Sequence, residues 1–76
     1  MSDEETRYAE VIRSQGGEFL GIQLGLYGSL VLFSDPTSWT TLAVYELEFS
    51  PQTVSQSLQK SRQAFGLVSH VQKSLS

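Results

Sequence analysis

The sequence predicts an α+β fold: a three-stranded antiparallel β-meander, a C-terminal helix packed on one of its faces, and an N-terminal segment that reads as a helix or an extra strand. Three observations carry this expectation. Leu20, Ile22, Leu24 and Leu26 are apolar at period two, the spacing that turns one face of a strand toward a core. Two more strands follow, Ser29 to Ser34 after the Tyr27-Gly28 turn and then Trp39 or Thr40 to Phe49, the last rich in β-branched and aromatic residues. Ser50-Pro51 then opens a stretch whose apolar residues recur at helical spacing.

Segment 2–15 comes first along the chain. Ser2 with Glu5 fits a capping box, the acidic first turn suits the positive end of a helix dipole, and Tyr8, Val11 and Ile12 share one helical face. Gly16-Gly17 would end such a helix. The competing reading is a strand through "RYAEVIR", but neither of its faces would be cleanly apolar, so the helix is favoured. Residues 18–49 hold the meander. Tyr27-Gly28 turns the chain after the first strand, Asp35-Pro36 turns it after the second, and the third strand runs from Trp39 or Thr40 to Phe49. Residues 50–66 form the helix, with Ser50 as N-cap, Pro51 in the first helical position, an apolar stripe of Val54, Leu58, Ser61 and Phe65, and Gly66 as the stop. The tail, 67–76, reads as a short fourth strand or a frayed end. All of it belongs to one small domain.

A chain of 76 residues is near the lower limit for a self-sufficient core. Domains of this size usually lean on disulfides, a metal or a partner. With no cysteine, disulfides and thiolate chemistry are excluded, which fits a reducing, cytoplasmic compartment. The acidic N-terminus lacks the basic flank and apolar core of a signal peptide. Eight acidic and five basic residues give a net charge of −3, and Arg7, Arg13, Lys60, Arg62 and Lys73 are scattered. A nucleic-acid ligand is therefore not expected, because phosphates call for a basic stripe. The stretch Phe19–Ser34 is uncharged, and Gly17, Gly21 and Gly25 recur every four residues as on membrane-helix packing faces. It is nonetheless shorter than the roughly 20 residues a bilayer demands, and Glu18 and Asp35 bound it, so no membrane is expected.

No catalytic residue, cofactor or metal site emerges. His70 is the single histidine, and no G-x-S-x-G elbow supplies a nucleophile for it to serve. Glu46 and Glu48, two apart on the predicted strand, would project from one side; near a strand end such charges more often block edge-to-edge association than divide acid and base roles. One histidine, no cysteine and no calcium-type loop leave a metal without ligands. The glycines of "GGEFLGIQLGLYG" match neither the P-loop nor the dinucleotide pattern.

The sheet has two apolar faces. One carries the even-numbered leucines with Ile22, which the C-terminal helix can cover. The other gathers Phe19, Val31, Phe33, Ala43 and Tyr45, where an antiparallel sheet with one wet face would be polar. Residues 5–13, the tail or another protein molecule must cover it. Trp39 follows from no turn rule; it either flanks the core edge or anchors a binding surface. The functional expectation is a non-enzymatic protein–protein interaction module, an accessory subunit or small inhibitor. It would meet a protein partner or form a homodimer through Phe19, Val31, Phe33 and Tyr45, with Trp39 at the margin. The alternative is a small-ligand-binding or minor enzymatic domain with a pocket between helix and sheet, for which Gln23, Tyr27, Tyr45 and His70 are the polar candidates.

Overall fold

Ser2 sets the start of the first helix. Its hydroxyl accepts the Glu5 N–H at 3.2 Å, and Asp3, Glu4 and Glu5 fill the first turn of α1 (Asp3–Ser14), where the helix dipole favours negative charge. The helix ends as Gly16-Gly17 foretell: Gly17 N–H donates to Ile12 O at 2.9 Å and Gly16 N–H to Arg13 O at 3.0 Å, with Gly16 at φ +91°. That pair of bonds is a Schellman motif, which needs the left-handed conformation glycine takes without steric cost. A computed structural model describes residues 2–75 of the chain, with side chains through residue 66.

Three strands follow, β1 (Glu18–Gly25), β2 (Gly28–Asp35) and β3 (Thr40–Tyr45), forming an antiparallel open sheet in the order β1-β2-β3. The first hairpin turns at Leu26-Tyr27, one residue earlier than the sequence suggests, because Gly25 and Gly28 form the closing pair and Gly28 takes φ +131°. After β3 the chain makes a single 3₁₀ turn at Glu46–Glu48 and enters the second helix, α2 (Pro51–Leu75). Ser50 caps it reciprocally: the Ser50 hydroxyl accepts Thr53 N–H at 3.1 Å, and Thr53 Oγ1 accepts Ser50 N–H at 2.9 Å. Thr53 thus fills the place a Glu or Gln holds in the usual capping box.

Register decides which residues are buried. Residues paired across antiparallel strands share a face. Ile22 pairs with Val31 and Val31 with Val44; Phe19 pairs with Phe33 and Phe33 with Leu42. Both helices lie on that one face. Tyr8 and Ile12 of α1, Val54 and Leu58 of α2, and Phe49 between strand and helix close over Val31, Phe33 and Val44 to make the core. Tyr8 also stacks tilted on Phe49, ring centroids 4.5 Å apart, and its hydroxyl donates to Glu46 Oε1 at 2.9 Å. Burial first, and then that carboxylate, push the Tyr8 pKa above its ordinary value of 10.0 and keep the phenol neutral.

Four sequence expectations are corrected here. Alternation along the strands puts Val31 and Phe33 on one face with Ala43 and Tyr45, but the register sends Ala43 and Tyr45 to the opposite, open face with Leu30 and Leu32. The same alternation puts Phe19 and Ile22 on opposite faces, yet both sit on the covered one. The reason is a bulge: Leu20 is an extra residue between Phe19 and Gly21, and one inserted residue inverts the alternation beyond it. The third strand stops at Tyr45 and does not reach Phe49. Its last partner on β2 is Leu30, so the chain leaves the sheet and brings Phe49 over Tyr8. The second helix does not end at Gly66 but runs through to Leu75, so the tail is neither strand nor frayed end. Gly66 is absent from the glycines with positive φ, and a helical glycine costs only about 1 kcal/mol against alanine.

Phe33, at 0% exposure, is the largest fully buried side chain. Phe33→Ala should cost about 3–5 kcal/mol. A domain of this length has roughly 4–11 kcal/mol in all, so urea titration followed by circular dichroism should show a large drop in midpoint or an unfolded chain. A midpoint within error of wild type would show that the core does not centre on this residue.

Candidate interaction site

The loop Asp35-Pro36-Thr37-Ser38-Trp39 joins β2 to β3, and Asp35 pairs with Thr40 at its mouth. Asp35 folds the loop with its own side chain. Thr37 N–H donates to Oδ1 at 3.0 Å, the Asx-turn pattern that proline at the next position favours. The Ser38 hydroxyl donates to Oδ2 at 2.8 Å, and Trp39 N–H donates to the Asp35 carbonyl at 2.8 Å. The second helix completes the cluster. Arg62 Nε lies 3.3 Å from Oδ2 and Nη2 lies 3.4 Å from Oδ1, while Ser61 shares a hydrogen bond with Ser38. Arg62 Nη2 also donates to Gly16 O at 3.4 Å, so one guanidinium ties the end of β2, α2 and the α1–β1 turn.

Asp35 is 0% exposed. Burial alone would raise its pKa, since a carboxylate loses hydration. The Ser38 and Thr37 hydrogen bonds and the Arg62 charge outweigh that effect and hold the carboxyl below its ordinary value of 3.8. Among the described residues no buried side-chain nitrogen or oxygen lacks a partner.

This buried frame presents Trp39 outward. The indole is 89% exposed, and its backbone sits at φ +57°, the one non-glycine residue with positive φ among those described. Its chain neighbours Ser38 and Thr40 line a groove of about 310 Å³ between β3 and α2, completed by Leu42, Ser61, Ala64 and Phe65. The groove is apolar apart from hydroxyls, two of which already bond each other. Trp39 is thus an exposed indole on an αL residue whose two chain neighbours line an apolar groove.

The other anticipated residues are dispersed. Val31 and Phe33 are core, Phe19 is half-buried against it, and Tyr45 lies 37% exposed on the open face. Phe19, Val31 and Phe33 are thus taken up by the core, Tyr45 lies apart from them on the open face, and Trp39 stands in water at the loop. Tyr27 and Tyr45 meet at a second groove of about 270 Å³ beside Leu47 and Glu48, at the hairpin end of the sheet and away from the helix–sheet groove. Gln23 is exposed on the open face. His70 lies outside the residues whose side chains are described. Glu46 and Glu48 share no strand face, since both sit in the 3₁₀ turn and Glu46 accepts from Tyr8. Among the described residues no three acidic, histidine or cysteine side chains come together to hold a metal ion, and no helix is long and apolar enough to cross a membrane.

Sequence reasoning missed Arg62, which lies far from Asp35 along the chain, near the solvent-side Lys60 and Gln63 of its helix. One signal was present. Ser61 occupies an apolar-stripe position, where a hydroxyl needs a buried partner. Compared with known proteins, the chain matches no family model, no curated protein and no solved structure.

Because the folded pKa of Asp35 lies below the unfolded one, its stabilisation is fully present above about pH 4 and is lost as pH falls through the folded value. Thermal melts from pH 7 down to pH 2 should show this loss, and Asp35→Asn should flatten it. The same variant should cost about 1–3 kcal/mol at pH 7, because a buried amide cannot accept from Thr37, Ser38 and Arg62 as the carboxylate does. A variant whose melting point falls with acid as steeply as wild type would locate the acid sensitivity elsewhere.

Proposed function

We propose that this protein is a small non-enzymatic interaction module, an accessory subunit or inhibitor, that engages a protein partner through Trp39 and the adjoining β3–α2 groove. The observation that carries this reading is the placement of Trp39. A left-handed backbone costs a non-glycine residue about 1–2 kcal/mol. Here it is held by the main-chain bond to Asp35, itself fixed by a fully buried, charge-paired cluster. The fold therefore supports, at a cost, a large aromatic that gives almost nothing back to the core.

Tryptophan is the residue type most enriched among interface hot spots, since its rigid ring buries much area for little lost side-chain entropy. Leu42, Ala64 and Phe65 give an apolar floor to the groove that the chain neighbours of Trp39, Ser38 and Thr40, line. The cysteine-free chain suits a reducing compartment, and we place the module in the cytoplasm on that ground.

Trp39→Gly separates binding from folding. Glycine relieves the left-handed backbone but loosens the unfolded chain by about 0.4–1 kcal/mol, so the melting temperature should stay level or rise slightly. Wild type and Trp39→Gly, immobilised side by side, would be offered the same cell extract, and the proteins retained quantified. A partner held by wild type should bind the variant at least about 30-fold more weakly, the loss expected of a hot spot worth about 2 kcal/mol. With the purified partner, emission from the single tryptophan should shift to the blue as the indole leaves water. If every retained protein binds the variant equally, Trp39 is not the anchor.

A further inference from the structure

The sheet is open, and β1 forms one of its edges. Among the described residues no element other than β2 hydrogen-bonds to the β1 main chain, so a row of its N–H and C=O groups faces outward. Natural edge strands are usually blunted by lysine, proline or inward charge. From Phe19 to Ser34 there is neither proline nor any charge. Leu20, Ile22 and Leu24 on this strand, and Leu26 and Tyr27 at its hairpin, are all exposed, Leu24 at 85%. The other edge, β3, is shorter, and its exposed residues include Thr41. The Leu20–Gly21 bulge interrupts only the start of β1, and the regular stretch Ile22–Gly25 is left free.

We propose that β1 pairs antiparallel with β1 of a second copy of this chain, about a two-fold axis at Gln23, to make a continuous six-stranded sheet. This register sets Ile22 opposite Leu24 of the other copy, and Leu24 opposite Ile22, all four on the helix-covered side. That face then gains an apolar seam where each chain alone exposes Leu24 to water. Charge favours the same occupant. The first helix lies over β1 and is polarised, with Asp3, Glu4 and Glu5 in its first turn and Arg13 in its last. A two-fold axis runs the two copies of α1 antiparallel, so their polarised ends point opposite ways. Between the strands themselves no like charges meet. A single short edge is small against the about 800 Å² per partner of a standard interface, so the association is expected to be weak and to depend on concentration.

Light scattering from about 1 μM to about 1 mM tests this. The wild-type mass should climb from 8.4 kDa toward twice that value. Leu24→Lys, at an exposed site that should not disturb folding, should stay at monomer mass with an unchanged melting curve. Trp39→Gly should associate like wild type, which separates this edge from the Trp39 site. The cysteine-free chain permits a second test. Residues opposed across antiparallel strands lie about 4.5–5.5 Å apart, within disulfide range. Gln23→Cys should therefore oxidise to a dimer much faster than Leu47→Cys, a control on an exposed residue off the edge. A wild type of 8.4 kDa throughout, a Leu24→Lys that associates as wild type does, or equal oxidation of the two cysteines would each overturn the proposal.

Discussion

Asp35 is the constraint around which one end of the molecule is built. A carboxylate without exposed surface has lost its hydration, and only a full set of donors makes its charge tolerable. Those donors come from its own loop, through Thr37 and Ser38, and from the second helix, through Arg62. The dependence runs both ways. The loop conformation requires the charge, and the charge requires α2 to cross the sheet at Arg62. Because Arg62 also reaches Gly16 O, the position of α2 is tied to the end of α1. In a domain this small, one such cluster does work that a larger hydrophobic core would otherwise share.

The rest of the stability is apolar and one-sided. Two helices cover a single face of three strands, and the register brings Val31 and Phe33 beneath them. The opposite face carries Leu30, Leu32, Ala43 and Tyr45, and among the described residues neither helix contributes core side chains to it. Polar satisfaction is complete in the described interior, whereas apolar satisfaction is not: Leu24, Leu26, Tyr27, Trp39 and Leu47 remain in water. Exposed apolar surface of that kind is what interfaces bury. The Trp39 loop and the β1 edge are separate stretches of it, one fixed by a buried charge and the other bordered by a sheet edge.

Much of the architecture was determined by the sequence itself. The Ser2 and Ser50 caps, the Gly16-Gly17 stop, Pro51 in the first helical position and the order of strands and helices are local effects, since each depends on atoms a few residues apart. Even the loop at Asp35 was legible as a turn. Tertiary structure decided what distance along the chain conceals. A bulge at Leu20 cannot be read from alternation, because Leu20, Ile22, Leu24 and Leu26 keep perfect period two while the backbone between Phe19 and Gly21 does not. That single inserted residue puts Phe19 and Ile22 on one face, and the frame in which β2 meets β3 puts Tyr45 on the face opposite Phe33. The pairing of Asp35 with Arg62 lay equally out of reach, since hydrogen bonds between distant residues leave no periodicity in a single sequence. Local chemistry could mark Trp39 as unexplained by its turn; only the packed fold could show it standing in water on a buried, charged foundation.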